Sequence, residues 1–325
     1  NNKFIETPSV IEKSYAFSDK EDESDYANYY KELYDIINQA NLILSKSEGF
    51  SFFTQDEQNQ LQAELLSIRA FAHYQIAIHY AQPYHFTTEA SHLGVVYNTK
   101  TLIAGVDYPS RTTLKETYNF ITSDLNKALA QYTNTQILGG PSHSYFNTTT
   151  TQALYARIAL QMNDWEQALN YSDKVITTSG ISLTSKENYV AEWALNEDPI
   201  SEILLEFSAP RTSEGDVSSS ISSHFIYNSP TNYGKYVASG DLLNLYEPND
   251  IRANMFIEVP LPTIINNIEQ DLPYYFTKKF QGDAGTSFIR LSEMYLIRAE
   301  ANARLANTAN ALIDLNTIRE RSNLL

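Results

Sequence analysis

Cysteine is absent from the 325 residues, which excludes disulfides, thiol nucleophiles and thiolate metal sites. No run approaches the roughly 18 to 20 consecutive apolar residues that a membrane-spanning helix needs, so the chain as given is expected to be soluble. Positive charge is scarce. The 23 Lys and Arg against 39 Asp and Glu leave a net charge of −16, which repels phosphate backbones and anionic lipid heads and excludes nucleic acid as a natural partner. Three motifs of catalysis and phosphate binding are also missing: a Gly-x-Ser-x-Gly elbow, a Gly-rich phosphate loop and a His-Glu-x-x-His zinc helix. His73, His79 and His85 do recur at intervals of six. Six helical residues turn through a net angle of roughly 240°, and Pro83 intervenes, so these histidines share no face and read as packing or surface residues. No initiator Met and no basic-then-apolar segment opens the chain at Asn1, as expected of a piece of a longer precursor.

Helical periodicity is what the chain has in abundance. Leu33, Ile36, Ile37, Ala40 and Leu44 make one stripe, closing near Gly49. Leu61, Leu65, Ile68, Ala72 and Ile76 make a second, over about residues 56–79, and Leu114, Tyr118, Ile121, Leu125 and Leu129 a third, with Thr112 or Thr113 as N-cap and Glu116 in its first turn. Between the second and third, residues 83–111 read as a loop with one short strand at Gly94 to Tyr97. After Gly139-Gly140-Pro141, residues 148–162 and 165–177 read as two helices around the turn Asn163-Asp164. Ala153, Tyr155, Arg157, Leu160, Trp165, Ala168 and Tyr171 there resemble a tetratricopeptide unit. The stretch from Arg290 to Arg321 echoes it, with Arg298 and Ala311 in the places of Arg157 and Ala168. Its second helix is expected to bury Ala309, Leu312, Leu315 and Ile318. Glu293 and Glu300, close to Arg290 and Arg298, read as structural ion pairs.

From Gly180 to Gly285 the period fades. Ile203 to Phe207 suggests a strand, residues 208–223 a flexible loop, and Asp241 to Tyr246 a short amphipathic piece ahead of Asp250 and Arg252. Tyrosine is the anomaly, at 23 residues against 2 Trp, and many of these rings fall in polar stretches where helix burial does not explain them. A ring whose face takes apolar groups and whose hydroxyl hydrogen-bonds suits recognition of a sugar or a peptide. The candidate ligand-binding residues are Tyr15, Phe17 and Tyr26 near the amino terminus and Tyr227, Tyr233, Tyr236 and Tyr274 in the irregular region. They are expected to form one site where the two regions meet. The acidic group Asp19, Glu21, Asp22, Glu23 and Asp25 lacks the regular oxygen spacing of a calcium loop and reads as solvated. No catalytic residue, metal site or cofactor is expected.

The residues Ala63-Glu64, Arg69-Ala70-Phe71, Tyr74, Tyr118, Asp124-Leu125 and Ala128, then Arg290, Glu293, Leu296, Ala299-Glu300-Ala301, Leu315-Asn316 and Arg319, resemble in their order the signatures of the SusD/RagB family. One departure is Ala81-Gln82 before Pro83, where that family usually has Gly-Asp. The resemblance implies an all-α fold, a tetratricopeptide-like α-α superhelix with an inserted irregular, loop-rich lobe carrying short strands. On that reading residues 1–325 form a single domain, with the scaffold over 28–180 and 286–325 and the lobe over 181–285. It further implies a non-catalytic surface lipoprotein of the outer membrane, anchored through a lipidated residue upstream, that captures oligosaccharide and passes it to a SusC-like TonB-dependent transporter. Peptide capture within the same family, a tetratricopeptide adaptor for protein partners and a hydrolase with converging carboxylates are the alternatives. The long irregular insertion counts against the adaptor.

Overall fold

The computed structural model describes residues 16–18, 26–195, 201–207, 221–279 and 285–324. These are predominantly helical, and the fold class is the expected all-α one with few strands. Two compact units divide the chain, residues 1–137 and 138–325, and their boundary falls just before the Gly139-Gly140-Pro141 break.

The first unit is built on α1 (Tyr26–Ser47), α2 (Gln55–Tyr80) and α3 (Leu114–Gln131). Thr54 and Glu57 close a capping box on α2, and Thr113 with Glu116 does the same for α3, each satisfying backbone donors that would otherwise lose water. Helix α2 lies between the other two, burying Ala63, Leu66, Ala70, Ala72 and Ile76 with Leu33 and Ile37 of α1 and Tyr118, Ile121 and Leu125 of α3. The strand expected at Gly94 to Tyr97 does not form. A single bridge, Leu93 to Thr113, replaces it, because the segment passes so close to the start of α3 that a Cβ on Gly94 would stand 2.2 Å from Thr117 Oγ1.

A buried polar hub locks these parts. Arg69 donates from Nε and Nη2 to the two oxygens of Asp124, at 2.7 and 2.8 Å, and from Nη1 to Asn41 Oδ1 at 2.7 Å. Tyr97 donates its hydroxyl to Asp124 at 2.6 Å, and Asn41 Nδ2 donates to the carbonyls of Asn98 and Lys100. His73, fully buried, donates from Nδ1 to the Arg69 carbonyl and accepts the Asn98 N–H at Nε2, which fixes its tautomer. Desolvation holds the His73 imidazolium down to a pKa of about 3.

In the second unit α4 (Thr148–Gln161) and α5 (Trp165–Thr178) form one hairpin, and α9 (Leu291–Arg304) and α10 (Thr308–Arg321) another, with α9 packed on both α5 and α10. Tyr155 and Tyr171 stack across the first hairpin at 4.1 Å. Between the hairpins run α6 (Tyr189–Trp193), β1 (Ile203–Phe207), α7 (Ile221–Phe225), β2 (Tyr227–Ser229), β3 (Asn232–Tyr233), α8 (Gly240–Leu243), β4 (Phe256–Ile265), β5 (Ile268–Thr277) and β6 (Thr286–Arg290). The strands pair antiparallel as β1 with β6, β2 with β3 and β4 with β5. The expected strand at Ile203–Phe207 is β1. The flexible reading of 208–223 falls partly outside the described residues, and its end is the start of α7.

The ion pairs differ in partner from the sequence expectation. Arg157 makes a bidentate pair with Glu293 and donates to the Phe288 carbonyl, Arg298 makes one with Asp314 and reaches Asp173, and Glu300 pairs with Arg304. Arg290 pairs with the fully buried Glu202, which also accepts from Ser292, the Thr184 N–H and Arg321. Asp250 and Arg252, two apart in sequence, also make an ion pair. The buried stripe of α10 is Ala311, Asp314 and Ile318, while Leu312 and Leu315 are half exposed. Asp314 has to face Arg298, and that demand rotates the helix away from the purely apolar stripe.

Candidate functional site

The longest strands of the second unit, β4 and β5, form a ten-residue ladder closed by Asn266 and Asn267, both at positive φ (52° and 64°). Two consecutive left-handed residues match the twist of a tight hairpin, and Asn tolerates that conformation better than most residues. Pro260 stands opposite Pro273 in the ladder, and Pro262 adds a third imide, so these positions offer no N–H to a further strand. Tyr274 and Phe276, two apart on β5, share a face. Phe276 is buried, and Tyr274 shares a hydrogen bond of 2.8 Å with the Thr263 hydroxyl.

On Phe276 rests a smaller hairpin. Tyr227 of β2 lies directly opposite Tyr233 of β3, with their rings 6.3 Å apart at 21°. Both meet Phe276, at 5.4 and 5.8 Å between centroids. The turn between them is held by Gly234 N–H donating to the Ile226 carbonyl at 2.7 Å and by Tyr236 N–H donating to the His224 carbonyl at 3.0 Å. A Cβ on Gly234 would come within 2.4 Å of the His224 backbone, so only glycine lets the two segments approach this closely. Tyr236 packs against Phe225 at 5.4 Å and His224 at 6.1 Å. Ala238 N–H donates to the Tyr275 carbonyl, which ties this hairpin to β5.

Of the seven expected site residues, Tyr227 and Tyr233 pack on Phe276, Tyr274 stands two residues from Phe276 on the same face of β5, and Tyr236 packs on Phe225 and His224 of the adjoining segment, all within the second unit. Tyr233 is 46% exposed and its three companions are half-buried, so the patch offers ring faces to solvent on a fixed base. The rings stand on short strands and their connections rather than on free loops. Phe17 and Tyr26 belong to the first unit: Phe17 is 98% exposed, and Tyr26 is the first residue of α1, its carbonyl accepting from the Tyr80 hydroxyl. Tyr15 and the acidic residues 19–25 lie outside the described residues. The sequence reading left out Phe276 as the floor and His224 and Phe225 as the flank. The run Tyr274-Tyr275-Phe276 carried the signal, since alternation on a strand sends its first and third rings to one face.

On the opposite face of β5, Tyr275 donates its hydroxyl to Glu258 at 2.7 Å, in solvent. Lys279 is lowered to a pKa of about 8 by burial and then by Arg290, with its ammonium 4.5 Å from the Trp193 ring centroid. His73, His79 and His85 are not brought together as ligands: His73 is committed to the hub, and His79 bonds the Gln75 carbonyl within α2. Among the described residues, no three His, Asp or Glu side chains converge as metal ligands, and no helix is long and apolar enough to cross a membrane.

Residues 3–160 match a family model described as starch-binding associating with outer membrane, and residues 269–324 match the model of the SusD family. The chain belongs to the SusD/RagB family. A SusD superfamily protein from Bacteroides thetaiotaomicron VPI-5482 is similar in structure at a TM-score of 0.74 and 27% identity, over 89% of this chain and 65% of that one. A SusD superfamily protein from Bacteroides vulgatus ATCC 8482 is similar at 0.80 and 22% identity, over 98% and 71%. A SusD-like carbohydrate binding protein from the same organism is similar at 0.76 and 20% identity, over 90% and 61%. The last two likenesses speak for the fold alone. The chain thus spans just under two thirds of the first of these relatives. No curated protein matches it. The SusD family is sugar-binding and associated with the outer membrane, and its signatures here fall on the Arg69–Asp124 hub and on α9 and α10.

Proposed function

We propose that this protein is a non-catalytic cell-surface binder that captures an oligosaccharide and passes it to a SusC-like TonB-dependent transporter, with the helix pairs as a rigid tetratricopeptide-like frame. The observation that carries the reading is the Tyr227–Tyr233 pair on the buried Phe276, flanked by Tyr236 and Tyr274. Sugars present C–H groups on one face and hydroxyls around the rim. A tyrosine ring takes the first by dispersion, and its hydroxyl takes the second by hydrogen bonding. Rings held by a ladder and a buried floor lose little freedom on binding, which keeps a shallow site useful at modest affinity. The family membership supports the ligand class and the outer-membrane setting.

Phe17 and Tyr26 remain proposed contributors from the amino-terminal side, as does Tyr15. Screening the purified protein on glycan and peptide arrays tests the reading. A discrete set of oligosaccharides bound without cleavage during long incubation supports it; peptide binding alone, or product above a heat-killed control, overturns it.

A further inference from the structure

Within the second unit the carboxylate of the fully buried Glu202 is saturated with donors. Its Oε1 accepts from Arg290 Nη1 at 3.1 Å and Ser292 Oγ at 2.8 Å, and its Oε2 accepts from the Thr184 N–H and Arg321 Nη1. Cations are in surplus around it. Lys279, two residues beyond β5, holds its ammonium 4.5 Å from the centroid of the buried Trp193 ring, and Arg290 holds its guanidinium 5.2 Å from the same centroid. Arg321 stands over Tyr189 at 4.7 Å. Lys279, Arg290 and Arg321 against Glu202 leave two positive charges. Glu192, which accepts from Ser201 and Thr184, offsets one of them, and Arg252 is spent on Asp250. A positive spot thus remains in a chain whose net charge is −16.

The donors of that spot are largely uncommitted. Among the described residues no acceptor bonds the Lys279 ammonium, and Arg290 gives Glu202 only one of its five N–H groups. Both keep a way to solvent, since Lys279 is half-buried and the Arg290 side chain is 31% exposed. The indole face attracts both cations, yet it cannot take their N–H groups as a charged oxygen does. Burial and the neighbouring Arg290 disfavour the charge on Lys279, and an anion seated between donors of this kind offsets both. We propose that Lys279 and Arg290, over Trp193, bind one oxyanion group of a small acidic ligand, a carboxylate or a sulfate. The acidic remainder of the chain repels such a ligand, so this positive spot is where it is held.

Intrinsic fluorescence reads the site directly, because Trp193 is one of 2 Trp and Trp165→Phe leaves it as the sole indole. Sodium glucuronate, glucose 6-sulfate and glucose are titrated into that background near neutral pH at constant ionic strength. A saturable change with at least one of the anionic sugars and none with glucose is expected, and the two arms tell carboxylate from sulfate. Lys279→Met, which keeps a stem on the indole and removes the charge, should weaken that binding at least about tenfold, the worth of one charge-assisted hydrogen bond. Lys174→Met, at the exposed cation over Tyr171, should leave it unchanged. In the unmutated chain, acetylation of Lys279 mapped by mass spectrometry should slow under saturating anionic sugar and not under glucose, a readout independent of how the variants fold. The proposal is overturned if neither anionic sugar saturates, or if sodium chloride gives the same change, which means an adventitious ion only. It is equally overturned if Lys279→Met binds like the parent, if Lys174→Met is weakened as much, or if neither anionic sugar protects Lys279.

Discussion

The polar hub of the first unit and the small hairpin of the second use tyrosine in opposite ways. In the first, Tyr97 is stacked between His73 and Phe120, at 3.8 and 5.1 Å, and gives its hydroxyl to Asp124, while Tyr34 gives its own to the Val96 carbonyl. Burial raises the ionisation of both phenols far above the usual value, so they act as structural donors. In the second unit Tyr227 and Tyr233 lie one beside the other on a hydrophobic floor, with ring area left to solvent. The contrast teaches that a surplus of tyrosine is not in itself a sign of ligand binding. Position decides: a ring beside a buried carboxylate is part of the frame, and a ring on an exposed hairpin face is available to a ligand.

The largest effect expected from breaking this contrast is at the frame. Arg69→Ala leaves Asp124 buried and charged with no guanidinium, which should cost about 3 to 5 kcal/mol, read by chemical denaturation of the first unit's transition. A loss under about 1 kcal/mol would mean that the hub does not hold this unit together. Arg298→Ala should cost less, about 2 to 3 kcal/mol, because its side chain is partly solvated although Asp314 is buried. Glycan affinity of the fraction that remains folded should not change. Unchanged stability together with lost glycan binding would transfer Arg298 from frame to site.

His73 gives a pH-dependent test. Its folded pKa of about 3 lies below an unfolded value near 6.5, so the folded state binds fewer protons and is favoured fully above pH 6.5. That contribution is lost as pH falls from about 6.5 toward 3, at about 1.4 kcal/mol per pH unit. The destabilisation caused by His73→Asn, measured by denaturant melts at pH 7 and pH 5, should therefore be about 2 kcal/mol smaller at the lower pH. An equal difference at both pH values would show that His73 ionises without cost in the folded chain.

The frame was largely legible in the sequence, because helical period and capping chemistry are local. The start of α3 at Thr112 or Thr113, with Glu116 in its first turn, and the turn at Asn163 were readable from neighbouring residues, and Thr113 is the cap that forms. What was not readable depended on contacts far apart in the chain. Glu293 finds Arg157 rather than Arg290, and Asp314 turns α10 inward toward Arg298, so the apolar stripe of Leu312 and Leu315 faces solvent. The β4–β5 ladder escaped for another reason: Pro260, Pro262 and Pro273 demote a strand in sequence, yet on a two-stranded hairpin they sit where no N–H is needed. The tyrosines of the second unit could be singled out by composition, but their shared floor, Phe276, emerged only from the strand's alternation.

The most direct test of the central claim is isothermal titration of the parent and Tyr233→Ala with the oligosaccharide that the array identifies, after showing that both melt alike. A partly desolvated ring stacked on a sugar contributes roughly 1 to 2 kcal/mol, so the variant should bind about fivefold to thirtyfold more weakly. Equal affinity would contradict the account and remove the aromatic patch over Phe276 as the sugar site.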